Sequence, residues 1–440
     1  MRLILFCFLL LVYSPSFGQN SSLYTSFITG DTTDIVAQPM GGACMMGGAS
    51  EVDEAMQWFL NRADGGDVLV LRISGSDGYN NYMFSQLGVT VNSVETIVFD
   101  DTLAAYDSYV LRRIDEAEAI WIPGGDQWEY ISYWRNTPVD TAIRNAVVLR
   151  NVVFGGTSAG MALMGEHYFT AENGTVTSAQ ALNNPLDNRI AIDSQPFLSH
   201  PLLPHVITDT HFDNPDRKGR MIAFAAHLRA NGVSTDLLGI ALDEYTAICV
   251  NDSGMGRVYG SYPDYDDNAY FIRVNCMIAN NMPEQFVAGM PLEYNHGGEA
   301  LSVYQVKGTY QGIHTFDIAD GETGTGGQWK YWSASNGNVS EMNGNSPGCN
   351  TTSLREKNLS DILVYPNPTN GIIRVENKSS REWDKIIIRS ALGEMTKSIE
   401  HHSNQSENEL DLSDLEDGVY QLSFYSRGRW INDTRLIIIH

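Results

Sequence analysis

The chain has 440 residues, which exceeds the usual size of a domain with a single hydrophobic core. We therefore expect two folded domains with appended segments. Hydrophobic residues make up 43% of the sequence and charged residues 18%, a globular composition that excludes collagen-like and wholly disordered proteins. The 53 acidic residues against 28 basic ones give a formal net charge of -25, which repels a phosphate backbone and argues against nucleic acid as a partner.

The first residues have the features of a secretory leader peptide. Arg2 supplies a positive charge, residues 3–13 form an apolar run too short to cross a bilayer, and Ser16 and Gly18 offer small side chains for cleavage. We therefore expect residues 1–18 to be a signal peptide. No later stretch approaches the roughly 20 apolar residues of a membrane helix, so we expect no transmembrane segment.

The cysteines after the leader lack the spacing of a disulfide framework or of a metal site, although export allows disulfides to form. They are Cys44, Cys249, Cys276 and Cys349. We expect buried free thiols, with a bridge between Cys249 and Cys276 as the alternative.

Between residues 34 and 250, short apolar runs alternate with amphipathic stretches, a pattern typical of strands and helices around a parallel sheet. The predicted strands are 67–73, 96–99, 119–122 and 151–154. The predicted helices are 51–62, 108–116 and 139–146. Aromatic and strand-like segments after residue 250, such as 301–306, are expected to complete the same domain.

A change of composition divides the chain. Residues 333–357 are poor in apolar side chains and rich in Asn, Gly and Ser, which is typical of a flexible linker. Five short strands separated by turns follow and predict a small all-β sandwich. We expect a main domain over 19–332, a linker over 333–359 and the sandwich over 360–440. By residue type alone, an adhesive or carbohydrate-binding sandwich is an alternative role for this tail.

The strand ending at Phe154 is followed by a glycine-rich turn, residues 155–160, and then by a helix-compatible segment. Such a strand-turn-helix exposes the hydroxyl of Ser158 at the carboxyl edge of a sheet, where it can act as a nucleophile. The backbone N–H of Ala159 would then help to stabilise an oxyanion. A glycine turn that serves only packing is the alternative.

A second glycine turn follows the predicted strand 119–122. The N–H of Gly125, or that of Gly124, would be the second oxyanion donor, and Gln127 would contact substrate. A plain strand-helix turn is the alternative.

A nucleophilic serine needs a base, and His211 is the best-placed histidine because it follows the strand-like pair 206–207. His205 and His200 are its rivals in a proline-rich loop. Glu244, at the end of the apolar run 238–242, would orient the base, with Asp243 as the alternative. The order serine, histidine, acid differs from that of α/β-hydrolases, in which the acid precedes the histidine.

These residues resemble the cyanophycinase family of serine peptidases, peptidase family S51, and its α-aspartyl dipeptidase relatives, from about residue 39 to residue 332. The resemblance rests on Gly41-Gly42-Ala43, residues 65–68 and 74–79, Gly124–Gln127, Gly155–Gly160, Asp209–Phe212 and Asp243–Ala247. It implies an α/β fold with a flavodoxin-like, mostly parallel sheet covered by helices on both faces, related to class I glutamine amidotransferases. It also implies Ser158 as nucleophile, His211 as base and Glu244 as its partner, with no metal or other cofactor.

The resemblance implies a substrate as well. Cyanophycinases cleave a poly-aspartate polymer with arginines on its side chains and release β-aspartyl-arginine. Arg217 and Arg220 match the later two positions of the family's arginine pattern, but Pro215 replaces the first arginine and Thr210 replaces the usual glutamine.

The candidates for substrate contact are Gln127, Asp209, Arg217 and Arg220, for which a helix-capping and ion-pair cluster is the alternative. The expected function is that of a secreted serine exopeptidase that cleaves aspartyl or β-aspartyl bonds. A peptidase or amidase for other extracellular peptides and a catalytically inactive surface binding protein are the alternatives.

The tail resembles the C-terminal sorting domain of the type IX secretion system, through residues 364–371 and 417–420. The resemblance implies passage through the outer membrane and then release or surface attachment. The expected partners are therefore a peptide or cyanophycin-like polymer and the secretion machinery, and a homodimer is an assembly that the sequence leaves open.

Overall fold

The computed structural model describes residues 21–233, 236–349, 362–377, 383, 385–390, 395–400, 407–426 and 429–439. The chain divides into two compact units, residues 1–349 and residues 350–440. The expected signal peptide, residues 1–18, lies outside the described residues. Over the described ranges, no helix combines the length and the apolar character that crossing a membrane requires.

The helices of the first unit are short, and several begin where the sequence offers a capping residue. The α-helices are α1 (Asp53–Asn61), α2 (Gly78–Asn81), α3 (Ser108–Glu116), α4 (Gln127–Trp134), α5 (Pro138–Leu149), α6 (Ala159–Ala162), α7 (Ser178–Asn183) and α8 (Lys218–Ala230). A π-helix spans Tyr82–Gln86, and 3-10 helices span Thr102–Tyr106 and His296–Gly298. The carboxylate of Asp107 accepts the N–H of Tyr109 at the start of α3, and Pro138 opens α5.

Three sheets account for the strands of the first unit. The strands are β1 (Tyr24–Gly30), β2 (Ala43–Met46), β3 (Asp67–Arg72), β4 (Ser93–Phe99), β5 (Ala119–Ile122), β6 (Val153–Thr157), β7 (Tyr168–Phe169), β8 (Ile192–Asp193), β9 (Val206–Asp209), β10 (Leu238–Leu242), β11 (Ala247–Val250), β12 (Met255–Tyr262), β13 (Asn268–Val274), β14 (Leu301–Lys307), β15 (His314–Asp317), β16 (Gly324–Thr325), β17 (Gly327–Ser335) and β18 (Asn338–Asn343).

The largest sheet has the order β1-β4-β3-β5-β6-β2-β11-β12-β15-β16. The strands from β4 to β2 run parallel, and antiparallel strands extend the sheet at both sides. Strands β3 and β5 are buried on both faces. Leu69 and Ile120 pack in one core with α3 and α5, whereas Val70 and Trp121 pack in another with α1. The expected α/β class, with helices on both faces of a parallel-centred sheet, is confirmed.

The second sheet has the order β18-β17-β14-β13-β10-β9, in which only β9 and β10 run parallel. The 10-stranded and 6-stranded sheets are joined in one unit, together with the two-stranded sheet of β7 and β8. Helix α8 packs on the second sheet, with Met221 and Phe224 in the same core as Ile272. The segments after residue 250 therefore continue the first unit.

The boundary of the expected linker differs from the structure. Residues 333–343 lie in β17 and β18 rather than in a linker, and the side chains of Trp332 and Ala334 are fully buried. Ser333 between them is buried as well, and the exposed residues that follow, such as Asn336, Asn338 and Ser340, give the segment its linker-like composition. A disulfide between Cys276 and Cys349 corrects the expectation for these two cysteines, while Cys44 and Cys249 are buried free thiols as expected.

The second unit is all-β. Its strands are β19 (Ile362–Tyr365), β20 (Ile372–Asn377), β21 (Lys385–Ser390), β22 (Met395–Glu400), β23 (Glu407–Asp411), β24 (Gly418–Ser426) and β25 (Arg429–Ile438). They form sheets of order β19-β20-β23 and β22-β21-β24-β25. Ile373 of the first sheet and Ile388 and Phe424 of the second share one apolar core, which is the packing of a sandwich.

Candidate active site

The serine selected from the sequence lies on a sharp turn between β6 and α6. Ser158 has φ 51° and ψ -116°, a backbone conformation that L-residues rarely adopt. A Cβ on Gly156 would lie 2.7 Å from the carbonyl carbon of Gly160, and one on Gly160 would lie 2.8 Å from that of Ile122. Because only glycine fits at both flanking positions, the chain can bend this tightly beside the hydroxyl.

Three side chains form a continuous chain of hydrogen bonds. Oγ of Ser158 lies 2.8 Å from Nε2 of His211, and Nδ1 of His211 lies 2.6 Å from Oε1 of Glu244. A carboxylate can only accept, so Nδ1 carries the proton and Nε2 is left to accept the hydroxyl proton of Ser158. The side chains of His211 and Glu244 are 25% and 16% exposed, which shields their interaction from much of the solvent.

Backbone contacts hold the imidazole in place. The N–H of His211 donates to the carbonyl of Gly47 at 2.8 Å, and the N–H of Tyr245 donates to the carbonyl of Gly48 at 3.2 Å. Gly48 has φ 112°, and a Cβ built on it would collide with the ring of His211. The glycine pair after β2 therefore forms the surface against which the ring rests, a role that the sequence did not reveal.

Two residues missed by the sequence reasoning hold the acid. The N–H of Glu244 donates to Oδ1 of Asp213 at 2.8 Å, and Nδ2 of Asn214 donates to Oε2 of Glu244 at 3.3 Å. The hydrogen bond from His211 holds the pKa of Glu244 below its usual range, against the opposing effect of burial. Asp213 and Asn214 lie two and three positions after His211, which could have suggested a role near the base. The sequence does not show that the loop folds back onto Glu244.

Four residues at the site have strained backbone conformations. Among residues other than glycine, Ala49, Ser158, His211 and Tyr245 all have positive φ, with values of 67°, 51°, 47° and 58°. Each such conformation costs of the order of 1 kcal/mol or more and persists only where the surroundings impose it. These four residues flank or belong to the hydrogen-bonded chain, so the fold maintains strain where the reactive groups meet.

The turn after β5 lies next to the serine. A Cβ on Gly124 would lie 3.3 Å from Cβ and 3.7 Å from Oγ of Ser158, and Gly125 is exposed. Ala159 begins α6 directly after the serine and is buried. The two segments expected to supply the N–H donors of Ala159 and Gly125 are thus brought to the same place.

The two arginines predicted to contact substrate differ in whether their charge is already paired within the protein. Nε and Nη2 of Arg220 both donate to the carboxylate of Asp209, with Nε to Oδ2 at 3.0 Å, and the two side chains are only 4% and 5% exposed. Arg217 is 21% exposed, its Nη1 donates to the carbonyl of Thr210 at 2.7 Å and lies 3.9 Å from Asp209. Asp209 and Arg220 therefore form a buried ion pair, and Arg217 carries the charge that a substrate can reach.

Gln127 and Pro215, which the sequence analysis connected with substrate binding, offer no charged group to a substrate. Nε2 of Gln127 donates to the carbonyl of Phe169 at 2.6 Å, which ties the start of α4 to β7. Pro215 is exposed in the loop between His211 and α8, where it offers no charge. Neither residue presents a donor to an anion in the way that Arg217 does.

The rival residues have other partners. Nδ1 of His200 accepts the N–H of Leu202 at 3.1 Å, and burial lowers the pKa of His200 to about 4. His205 lies 3.4 Å from Glu166. Oδ2 of Asp243 accepts the backbone N–H and Nδ2 of Asn268 at 2.8 and 3.1 Å. In the part of the chain that the structure describes, none of the three rivals bonds to Ser158 or to the ring of His211.

Asp243 makes stability depend on pH. Burial raises its pKa from 3.8 to about 7, so between these values the folded chain holds a proton that the unfolded chain has lost. The free energy of unfolding should therefore fall as pH rises through this window and level off above pH 7. Asp243→Asn, which cannot ionise, should be more stable than the wild type at pH 8 and equal to it at pH 4. Denaturant unfolding at both pH values measures this difference, and a constant difference would contradict it.

Gly48 gives a test of how the base is positioned. Gly48→Ala should displace the ring of His211, and a shift of about 1 Å should lower kcat about 10²-fold. Gly88→Ala is the matched control, because Gly88 also has positive φ, at 70°, but a Cβ there meets nothing within 4 Å. Gly88→Ala should lose stability through its positive φ alone, Gly48→Ala should lose more because its Cβ also meets the ring, and only Gly48→Ala should lose turnover. Equal kcat values in the two variants would show that Gly48 does not position the base.

Comparisons with known protein families match both units. The model of Peptidase family S51 matches residues 79–258, a segment that contains Ser158, His211 and Glu244. The model of the Secretion system C-terminal sorting domain matches residues 363–439. These matches confirm both resemblances drawn from the sequence motifs.

Curated relatives point to the same family. A cyanophycinase of Geminocystis herdmanii is 28% identical over 213 residues, which are 46% of this chain and 71% of the relative. Cyanophycinases of Synechococcus elongatus and Trichormus variabilis are 30% and 31% identical over 46% and 40% of this chain. The chain matches 59% and 53% of the length of these two relatives.

Two solved peptidase structures align with about half of the chain at low sequence identity. A peptidase from an acI-B1 actinobacterium aligns with a TM-score of 0.37 at 14% identity, over 51% of this chain and 89% of its own. A putative peptidase E protein from Listeria monocytogenes aligns with a TM-score of 0.34 at 13% identity, over 50% and 99%. The family matches and the curated relatives support a peptidase-type hydrolase for the first part of the chain, which resembles family S51, and the last part resembles a secretion sorting domain.

Proposed function

We propose that the chain is a secreted serine exopeptidase that cleaves aspartyl or β-aspartyl bonds through Ser158, His211 and Glu244. The observation that carries the proposal is the unbroken chain of hydrogen bonds, 2.8 Å from serine to imidazole and 2.6 Å from imidazole to carboxylate. A hydroxyl with an oriented base, placed beside backbone N–H groups at the edge of a sheet, is suited to acyl transfer.

The reaction has two halves. Nε2 of His211 takes the proton of Ser158 as Oγ attacks the scissile carbonyl, and the imidazolium is stabilised by the carboxylate of Glu244. The imidazolium then gives its proton to the leaving amine, which leaves an acyl-enzyme on Ser158. Water, deprotonated by His211, releases the acyl group. The N–H groups of Ala159 and Gly125 are the proposed oxyanion donors, and losing one such donor typically costs about 10²–10³ in rate.

Arg217 supports a substrate that carries a carboxylate. Its side chain is partly exposed, and its Nη1 donates to the carbonyl of Thr210, the residue that precedes His211 of the proposed triad. The buried pairing of Arg220 with Asp209 neutralises the neighbouring charge, so one accessible cation remains at this position. A free or side-chain carboxylate next to the scissile bond, as in an aspartyl peptide, would bind there.

Cyanophycin tests the substrate directly, since the curated relatives are named cyanophycinases. The exported protein should release β-aspartyl-arginine, measured by liquid chromatography and mass spectrometry, and Ser158→Ala should not. Absence of the dipeptide from an enzyme that still reacts with a serine-directed phosphonate would exclude the polymer as substrate.

A peptidase or amidase for other extracellular peptides is the second candidate. Pro215 is uncharged and exposed where the resembled family has its first arginine, which removes one anchor for the polymer. Peptides and amides without an aspartyl bond, assayed beside cyanophycin and β-aspartyl dipeptides, distinguish the two candidates, because only the second candidate should cleave them. A catalytically inactive binding protein would hydrolyse none of these compounds and would resist the phosphonate.

We propose the extracellular side or the cell surface as the place of action. The match to a secretion sorting domain over residues 363–439 supports this location. The expected leader at residues 1–18 would carry the chain across the inner membrane, and the tail would engage the type IX secretion machinery. An extracellular fraction that lacks the protein when residues 363–439 are deleted would support the assignment, and unchanged export of that variant would exclude it.

A further inference from the structure

Two buried thiols face each other across a pair of strands that frame the proposed site. Cys44 on β2 and Cys249 on β11 are direct partners in the antiparallel register, and their Sγ atoms lie 3.7 Å apart. Their side chains are 0% and 1% exposed. The sequence does not reveal this pairing, because the two cysteines are 205 positions apart.

The strand geometry suits a covalent bond between them. Residues directly opposite in an antiparallel pair have Cα atoms about 4.5 or 5.5 Å apart, and disulfides accept Cα separations of roughly 4.4–6.8 Å. The sulfur atoms are already in van der Waals contact, so closing the bond requires side-chain rotation and no change of strand register. The same unit contains the Cys276–Cys349 disulfide, which is typical of proteins that fold in an oxidising compartment.

We propose that Cys44 and Cys249 form a second, cross-strand disulfide when the chain folds after export. The thiolate of one cysteine attacks a disulfide of an extracytoplasmic thiol oxidase and forms a mixed disulfide. The thiolate of the other cysteine then displaces the oxidase thiolate. The two cysteines lose two protons and two electrons, and the oxidase disulfide gains the two electrons and becomes a dithiol.

The burial of the two cysteines determines when their disulfide can form. Desolvation and the neighbouring sulfur of Cys44 raise the pKa of Cys249, which keeps Cys249 in the unreactive thiol form in the folded chain. The exchange therefore takes place before β2 and β11 close over the sulfur atoms. Chain that folds in a reducing compartment keeps both thiols and resists later oxidation.

The bond would brace the proposed site. Strand β2 leads into Gly47 and Gly48, which hold His211, and strand β11 follows the turn that carries Glu244. In the structure, the segment after β2 contacts the turn before β11 through the N–H of Gly47, which donates to the carbonyl of Thr246 at 2.9 Å. A disulfide between Cys44 and Cys249 would hold β2 and β11 together and so fix the segment that contacts His211 relative to the turn that carries Glu244. It would also constrain the unfolded chain by closing a long loop.

Peptide mapping of the exported full chain tests the proposal. The protein is denatured in excess alkylating reagent without reductant, digested and analysed by mass spectrometry. A linked peptide pair containing Cys44 and Cys249, two hydrogen atoms lighter than the sum of the free peptides, is expected. Recovery of alkylated Cys44 and Cys249, whatever the state of Cys276 and Cys349, would overturn the proposal.

A variant isolates the bond's effect on stability. In Cys276→Ala/Cys349→Ala, the one remaining pair in the described unit is Cys44 and Cys249, so reductant should lower Tm by about 5 °C. Adding Cys44→Ala and Cys249→Ala should abolish the response to reductant. A Tm of the first variant that is equal with and without reductant would count against the disulfide.

Discussion

Ser158→Ala is expected to lower kcat for peptide hydrolysis by about 10⁴–10⁶-fold, because it removes the oxygen that forms the acyl-enzyme. The residual rate would come from substrate binding and the backbone donors. Alanine tolerates the strained turn about as well as serine does, and the hydroxyl is partly exposed, so the fold should survive.

Circular dichroism and thermal unfolding control for misfolding of this variant. We expect a Tm within a few degrees of the wild type, since no buried apolar contact is removed. A folded variant that hydrolyses substrate at the wild-type rate would rule out Ser158 as the nucleophile.

Glu244→Gln is expected to lower kcat by about 10⁴-fold with little change in KM. The carboxylate accepts the Nδ1 proton of His211 and so keeps Nε2 free to act as the base. An amide in its place can present N–H groups to Nδ1 and favour the other tautomer. It also no longer stabilises the imidazolium that forms in the transition state.

Asp243→Asn is the matched control for this variant, because it removes the adjacent carboxyl in the same way. The carboxyl group of Asp243 is turned toward Asn268, away from the hydrogen-bonded chain. Its kcat should therefore be close to that of the wild type. If Asp243→Asn lost turnover and Glu244→Gln kept it, the two acids would have to exchange roles.

Much of the fold of the first unit follows from local patterns. Predicted strand 119–122 and predicted helix 108–116 coincide with β5 and α3, because an uninterrupted apolar run marks the strand and Asp107 caps the start of the helix. The all-β class predicted for the tail is likewise found.

The rest depends on contacts between distant segments. The predicted linker includes the end of β17 and all of β18, because this segment is mostly polar: Ser333 is polar although it is buried, and Asn336, Asn338 and Ser340 face solvent. The division of the strands into two sheets and the pairing of Cys276 with Cys349 depend on long-range packing, which neither spacing nor composition encodes.

The site was predictable to different degrees. The glycine turn pointed to Ser158, the strand-like pair 206–207 favoured His211, and the family resemblance assigned His211 and Glu244 where the residues alone left rivals open. The support given by Gly48 and Asn214 was not predictable, because it depends on how two loops meet in space. The closure of Arg220 on Asp209 was left open by the sequence for the same reason.

A serine-directed phosphonate tests the central claim most directly, because it forms a covalent bond with a serine that a base has activated. Mass spectrometry of the exported protein should show one phosphonyl group, on the peptide that contains Ser158, and His211→Ala should abolish this labelling while the fold persists. No modification of the wild type, or modification at a residue other than Ser158, would contradict the claim that His211 activates this hydroxyl.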